Sequence, residues 1–166
     1  MIKYLIQDWN ANSGSSKGRF IMINFRFAFY VNKRKLLKII FFPYLIFHRI
    51  FFDWILGVEI NIHAHIGSGF RLFHGQGLVI NGDSVIGNNC LFRNGITLGT
   101  KLSQKGKLSK APILGDNVQV GSNTVIIGEV TIGNNVVIGA GSVVVKSFPN
   151  NTVIAGNPAK IIKRLS

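Results

Sequence analysis

The chain has 166 residues and carries nineteen Lys and Arg against six Asp and Glu, a formal charge of +13. That length fits one ordinary domain with an appendage, and a single cysteine, Cys90, excludes an internal disulfide framework and fits a reducing compartment. The excess of bases favours an anionic partner: a phosphorylated cofactor, an acidic membrane surface or nucleic acid.

The N-terminal "MIKYLIQDWN" has too short an apolar run for a signal peptide, and Asp8 interrupts it, so a cytoplasmic location is expected. "SGSSKGRFIMINFRFAFYV" reads as a cap followed by a helix, although its aromatic and β-branched residues are weak helix formers. "LLKIIFFPYLIFHRIFFDWIL", residues 36–56, is long enough to raise the question of a membrane span. It contains Lys38, His48, Arg49 and Asp53, and each Lys, Arg or Asp at a bilayer centre costs about 2.5–3.5 kcal/mol. Two amphipathic helices separated near Pro43, buried or interfacial, are expected instead. Residues 1–57 hold nine bases and two acids, a net +7.

From Gly57 the composition changes: seventeen of the nineteen glycines lie from there onward. Aliphatic and aromatic positions now return every six residues, at Ile60, Ile66 and Leu72, then Ile80, Ile86, Phe92 and Leu98, then Leu114, Val120, Ile126, Ile132, Ile138 and Val144. A period of six fits neither an amphipathic helix nor a two-faced sheet. It fits a coil of six-residue rungs, three to a turn, with the aliphatic pointing inward and Gly, Asn and Asp at tight corners. The expected fold is mainly β, a left-handed parallel β-helix with an N-terminal α-helical region. The expected boundaries are a helical region 1–57, a solenoid 58–147 with an extended loop 100–112, and a C-terminal tail 148–166.

The rhythm breaks twice. "LFHGQGLVING" leaves eight positions rather than six between Leu72 and Ile80, with His74 at the break, and "GTKLSQKGKLSKAP" lacks rung aliphatics altogether. Departures from a solenoid's period are where loops leave the coil, and loops carry function.

"GVEINIHAHIGSGFRLFHGQGLVI", "GITLGT" and "VIGAGSVVVKSFPNNTVIAGNPAKII" together resemble the serine acetyltransferase group of hexapeptide-repeat acyltransferases. Within it, "DWNANSGSSKGRFIMINFRFAF" and "HRIFFDWILGVEI" resemble the colanic-acid and capsular-polysaccharide O-acetyltransferases. The resemblance covers nearly the whole chain. It implies an acetyl-CoA-dependent homotrimer with sites between subunits, His74 as catalytic base and Glu59, fifteen positions upstream, as its carboxylate partner. Histidine suits proton abstraction from a hydroxyl at neutral pH, and a carboxylate on its second nitrogen fixes the tautomer. The matched positions also imply Gly99 and Thr100 as backbone donors to the oxyanion, although Thr100 replaces a family glycine. They imply Ser122 and Ala140 along the path of the donor, and the basic tail residues Lys160, Lys163 and Arg164 are expected at its phosphates.

The departures from the family point away from serine. Phe73 stands where serine acetyltransferases have aspartate, and Lys110-Ala111 stands where they have Arg-His. A saccharide hydroxyl in surface polysaccharide synthesis is therefore the expected acceptor, with Asp8, Asn12, Phe73, Arg93 and Asn94 as candidate acceptor contacts. A serine O-acetyltransferase-like activity is the alternative reading. A zinc enzyme of the β-helix carbonic anhydrase kind would use His63, His65 and His74, but no histidine follows His74 and no metal is expected. The scattered bases form no nucleic-acid module, so no nucleic-acid partner is expected. Peripheral association of residues 1–57 with the inner membrane face is a further expectation, from their charge and phenylalanines.

Overall fold

Side chains that point inward at six-residue spacing define three flat faces of a prism. In the computed structural model, which describes residues 1–103 and 106–165, these faces are three parallel sheets wound as one solenoid. Gln104 and Lys105 of the extended loop lie outside the described residues. The first sheet stacks Val58–Ile60, Leu78–Ile80, Thr97–Gly99, Val125–Ile127 and Val143–Val144. The second stacks His65–Ile66, Val85–Ile86, Ile113–Leu114 and Thr131–Ile132. The third stacks Arg71–Leu72, Leu91–Phe92, Gln119–Val120, Val137–Ile138, Thr152–Gly156 and Ala159–Arg164.

The pairing register accounts for both breaks in rhythm. A regular coil takes eighteen residues: Val79 pairs with Thr97, and Gln119 with Val137. The coil that contains His74 takes twenty, pairing Val58 with Leu78 and Arg71 with Leu91. The coil that contains the extended loop takes twenty-eight, pairing Thr97 with Val125 and Leu91 with Gln119. The extra residues leave the coil as loops, and the register resumes beyond them.

All the rung aliphatics counted in the sequence are buried, Ile66 being the most exposed of them at 6%. Burying one such side chain stabilises by roughly 1.5–3 kcal/mol. A second inward column lies two residues before each of them and includes Phe70, Ser84, Cys90, Ile96, Val118, Thr124 and Ser142. It mixes polar and apolar residues, so it has no hydropathy period to find. Its hydroxyls are absorbed at the corners, as where Thr124 donates to the Gly121 carbonyl and Ser142 to that of Gly139. Cys90 belongs to this column, and burial pushes its thiol up to about 11, so it stays protonated and unreactive.

The stretch 148–166, expected to be a tail, is ordered differently. Thr152–Gly156 continues the third sheet in parallel, and Ala159–Arg164 folds back on it antiparallel. The end of a solenoid exposes unpaired backbone, and a strand with charged outer residues covers it without inviting another chain.

Residues 1–56 form short helices joined by turns. Helix α1 spans Ile2–Leu5, α2 Ser16–Asn32, α3 Lys35–Ile40 and α4 Phe42–Arg49, and a π-helical turn follows at Ile50–Ile55. Ser15 caps α2, its Oγ accepting from the Gly18 N–H at 3.0 Å. Pro43 sits in the first turn of α4, where its missing N–H has no helical partner to lose. No described helix is long and apolar enough to cross a membrane. The phenylalanines of this segment divide: Phe52 is buried against the first coil, whereas Phe42 and Phe47 are exposed, as are Leu36, Ile39 and Trp54.

The segment before α2 and α2 itself close the open end of the third sheet. Arg71–Leu72 has no earlier coil to pair with, and its neighbours are satisfied by side chains. The Asp8 carboxylate accepts from the Phe70 N–H at 2.9 Å. Asn12 donates to the Phe70 carbonyl at 2.8 Å and accepts from the Leu72 N–H at 2.9 Å. Arg26 pairs with Asp8 at 2.7 Å and donates to the carbonyls of Ile66 and Gly67. Gly18 lets α2 approach: a Cβ there would stand 2.8 Å from the Leu72 carbonyl oxygen and 2.5 Å from Asn12 Oδ1. Removing one member of a buried ion pair leaves the other uncompensated. Asp8→Ala is expected to destabilise the chain by roughly 3–5 kcal/mol, read as a lower urea midpoint, and an unchanged midpoint would show that the pair does not hold the cap.

Candidate active site

His74 is the centre of a three-residue turn. The Gly75 N–H donates to the Phe73 carbonyl at 2.9 Å, and His74 between them has φ +68°. A γ-turn with positive φ is rare and strained. Every other described non-glycine residue with positive φ is asparagine, at Asn89, Asn117, Asn123, Asn135 and Asn151. Those corners use the side chain that best tolerates the left-handed region. The corner with the two-residue excess uses histidine instead, exposed, at a cost of about 1–3 kcal/mol. Gly75 follows at φ +75°, and a Cβ there would meet Leu72 at 3.1 Å and Ile21 at 3.5 Å, so the turn lies close on the core.

Leu72 points inward, so its neighbours Arg71 and Phe73 both point outward. The Phe73 N–H donates to the Phe92 carbonyl at 2.9 Å, and this registers Phe73 with Arg93 one coil on. The Arg71 guanidinium lies 4.5 Å and that of Arg93 5.3 Å from the Phe73 ring centroid. Each such contact is worth about 0.5–1 kcal/mol at an exposed site. Phe73 is thus a half-buried platform that holds two cations beside His74. Among the described residues neither arginine has a carboxylate within ion-pair distance. Of the six acids, Asp8 pairs with Arg26, Asp53 with Arg49 and Glu129 with Lys110. Arg71 is the functional candidate that the sequence reading passed over. Its signal was available, since it flanks an inward aliphatic two positions before Phe73.

The remaining candidates fall on two edges of the prism. The edge between the third and first sheets carries His74, then Arg93 and Asn94, then Ser122, then Ala140, one coil apart in turn. Ser122 donates to Asn94 Oδ1 at 3.0 Å. Lys160 pairs with Ala155 near the last coil of this edge, and Lys163 lies further into the third sheet opposite Val153. From Arg71–Leu72 to Ala159–Arg164 there are five strand spacings of roughly 4.8 Å. Gly99 and Thr100 lie across the first sheet, at its edge with the second, where the extended loop leaves as a hairpin. Leu102 and Leu108 pair across that hairpin and are each 62% exposed. The histidine edge and the Gly99 edge are therefore opposite margins of one sheet within a single chain.

Glu59 points outward from the first strand of that sheet, exposed, and makes no side-chain hydrogen bond to His74 among the described residues. It lines a cavity of about 350 Å³ under the helices with Asn32, Lys38, His48, Arg49 and Asp53. His48 is buried and stacked on Phe52 at 4.5 Å, and burial holds its imidazole down to about 4. Burial first, then the Glu59 charge, pushes Asp53 up to about 6 against the opposing pull of Arg49.

Two acceptor candidates are corrected. Asp8 is 2% exposed and Asn12 is fully buried, and their polar atoms serve the backbone of Phe70 and Leu72. They are anchors of the solenoid end, not contacts for an acceptor. His63 shares a hydrogen bond with Asn32, and His65 meets the ring of Phe29 edge-on at 5.6 Å. Among the described residues no three metal-ligating side chains converge.

Comparison with known proteins agrees with this architecture. A family model described as bacterial transferase hexapeptide (six repeats) matches residues 111–146. The chain is similar to the putative colanic acid biosynthesis acetyltransferase WcaB of Escherichia coli (strain K12), at 34% identity over 161 residues, covering 95% of this chain and 98% of that protein. It is 42% identical over 108 residues to a serine acetyltransferase of Synechococcus elongatus, covering 65% of this chain and 43% of that protein's length. Among solved structures, the serine acetyltransferase of Brucella abortus strain S19 in complex with coenzyme A superposes with a TM-score of 0.80 at 28% identity, covering 99% of this chain and 68% of that one. The chain belongs to the hexapeptide-repeat acyltransferases, in the group that includes the serine acetyltransferases and WcaB.

The cavity at Glu59 has a pH signature. Asp53 has a raised pKa in the folded chain, so its contribution to stability is present below its ordinary value of 3.8 and is lost as pH rises through about 6. Asp53→Asn removes that loss. Its Tm relative to wild type is expected to be more favourable at pH 8 than at pH 4, and an equal offset at both would show that Asp53 is not desolvated.

Proposed function

We propose that this chain is an acetyl-CoA-dependent O-acetyltransferase acting on a saccharide hydroxyl in surface polysaccharide synthesis, with His74 as its base. The observation that carries this reading is the strained γ-turn at His74, because a residue held in an unfavourable conformation where its neighbours use asparagine needs a reason other than stability. The imidazole takes the proton of the acceptor hydroxyl as its oxygen attacks the thioester carbonyl. The tetrahedral oxyanion accepts hydrogen bonds from backbone N–H groups at Gly99 and Thr100. The carbon–sulfur bond then breaks, and the imidazolium returns its proton to the leaving thiolate. Glu59 is the carboxylate assigned to orient the base in the assembled site, although the two side chains make no hydrogen bond within one copy. Acetyl-CoA lies along the edge that carries Asn94, Ser122 and Ala140, with its phosphates towards Lys160 and Lys163. The coenzyme A complex of the Brucella relative supports the donor, and the WcaB match across both chains supports the acceptor class.

This reading requires more than one copy. His74 and the Gly99–Thr100 pair lie on opposite margins of the first sheet, so a site containing both forms where the margin of one copy meets the other margin of the next. A cyclic homotrimer closes three such sites, and the exposed leucines of the loop hairpin suit that contact.

A serine acceptor is the second reading, favoured by the Synechococcus match. Two positions that depart from the serine acetyltransferase pattern argue against it. Ala111 is buried and offers no charge, and Phe73 replaces a carboxylate that would meet an ammonium.

His74→Asn separates chemistry from folding, since asparagine is the residue that the other left-handed corners use. The variant should keep its oligomeric size and coenzyme A affinity and lose about 10²–10⁴ in kcat. Retained turnover would end the proposal for His74.

The helical region adds a location. Leu36, Ile39, Phe42, Phe47 and Trp54 are exposed, with Trp54 at 79%, among Lys35, Lys38 and Arg49. Exposed apolar side chains and bases carried on the same short helices suit an anionic lipid surface, where each base contributes about 1 kcal/mol. Vesicles containing anionic lipid should bind the protein at low salt and release it as salt rises, whereas no binding at low salt would leave this face to another role.

A further inference from the structure

The two cations held at Phe73 specify more of the acceptor than its hydroxyl. Arg71 and Arg93 approach one aromatic ring from two successive coils, and His74 is the next residue along the chain. Like charges brought together in this way repel unless an anion lies between or beside them. Among the described residues none of the chain's six acids forms an ion pair with either arginine. The positive potential next to the reacting position is therefore uncompensated by acidic side chains, and the half-buried ring favours this placement of both guanidinium groups. A guanidinium recognises a carboxylate by paired hydrogen bonds with defined geometry.

We propose that the acceptor is an acidic sugar, a uronate-type saccharide whose carboxylate is bound by Arg71 and Arg93 while a hydroxyl of the same or the neighbouring residue faces His74. This rests on the saccharide reading above and narrows it. Phe73 is then a positioning residue, holding the two arginines rather than contacting the acceptor itself. The carboxylate remains unchanged through the transfer. It places the ring, and the hydroxyl proton alone moves, to the imidazole and then to the departing thiolate of coenzyme A.

The test compares matched methyl glycosides as acceptors, glucoside against glucuronide and galactoside against galacturonide, with thiol release from acetyl-CoA as the readout. The wild-type protein should favour the uronides by at least tenfold in kcat/KM. Arg71→Gln and Arg93→Gln should each reduce that preference and together abolish it, leaving coenzyme A affinity unchanged by calorimetry. Arg93→Lys, which keeps the charge without the fork, should retain part of it. Equal use of neutral and acidic sugars by the wild type would overturn the proposal and leave the saccharide reading standing. Weaker coenzyme A binding in the variants, with sugar preference unaltered, would assign the arginines to the phosphates of the donor and overturn it as well. Transfer to no saccharide, with coenzyme A still bound, would remove the saccharide reading and this inference with it.

Discussion

A solenoid satisfies its backbone by stacking each coil on the one before, and the first coil has nothing before it. In this chain three side chains from the N-terminal region meet that constraint. Asp8 and Asn12 supply the hydrogen bonds that an earlier strand would have made to Phe70 and Leu72, and Arg26 serves the carbonyls of Ile66 and Gly67 at the end of the second sheet. A buried backbone group left unpaired costs about 1–3 kcal/mol, and several would be left together here. The buried ion pair between Asp8 and Arg26 is not a source of stability in itself, since desolvation offsets much of its attraction. Its value lies in fixing a carboxylate where the Phe70 N–H needs an acceptor.

That closure also sets the candidate site. Asn12 holds the Leu72 amide, α2 passes over the Leu72 carbonyl at Gly18, and the turn at His74 begins one residue later. On the other side, the Phe73 N–H is held by Phe92 of the next coil. A strained turn persists only when its surroundings over-determine it, and this one is fixed from the cap on one side and from the stacked coil on the other. The same registration brings Arg93 to the ring of Phe73. His74 and the two cations beside it are thus products of one stacking arrangement rather than of a mobile loop.

The faces differ in what they offer. The edge from His74 to Lys160 is lined by small or polar side chains at each corner and ends in bases, which suits an extended anionic donor. The opposite margin of the first sheet bears a hairpin with exposed leucines. The helices turn apolar side chains outward among lysines and arginines. A charge of +13 is thereby distributed over surfaces with distinct proposed partners, and a bulk excess of bases says nothing about that division.

The repeat was legible because a buried aliphatic must recur whenever the chain completes one side of the prism, so Ile60 through Val144 display the fold in one dimension. Both interruptions were legible for the same reason, and with them His74 as a candidate. The helix cap at Ser15 and the break at Pro43 followed from local backbone chemistry. Tertiary structure alone decided the roles of Asp8 and Asn12, whose partners lie about sixty positions away, and it made them anchors where the sequence suggested acceptor contacts. It alone folded the C-terminal stretch back as a strand, because an open sheet edge is a property of the assembled coil. It alone showed that His74 is strained and that Arg71 and Arg93 converge on Phe73. Spacing along a chain reports which face a residue shares, whereas backbone strain and the meeting of charges from separate coils arise only once those coils are stacked.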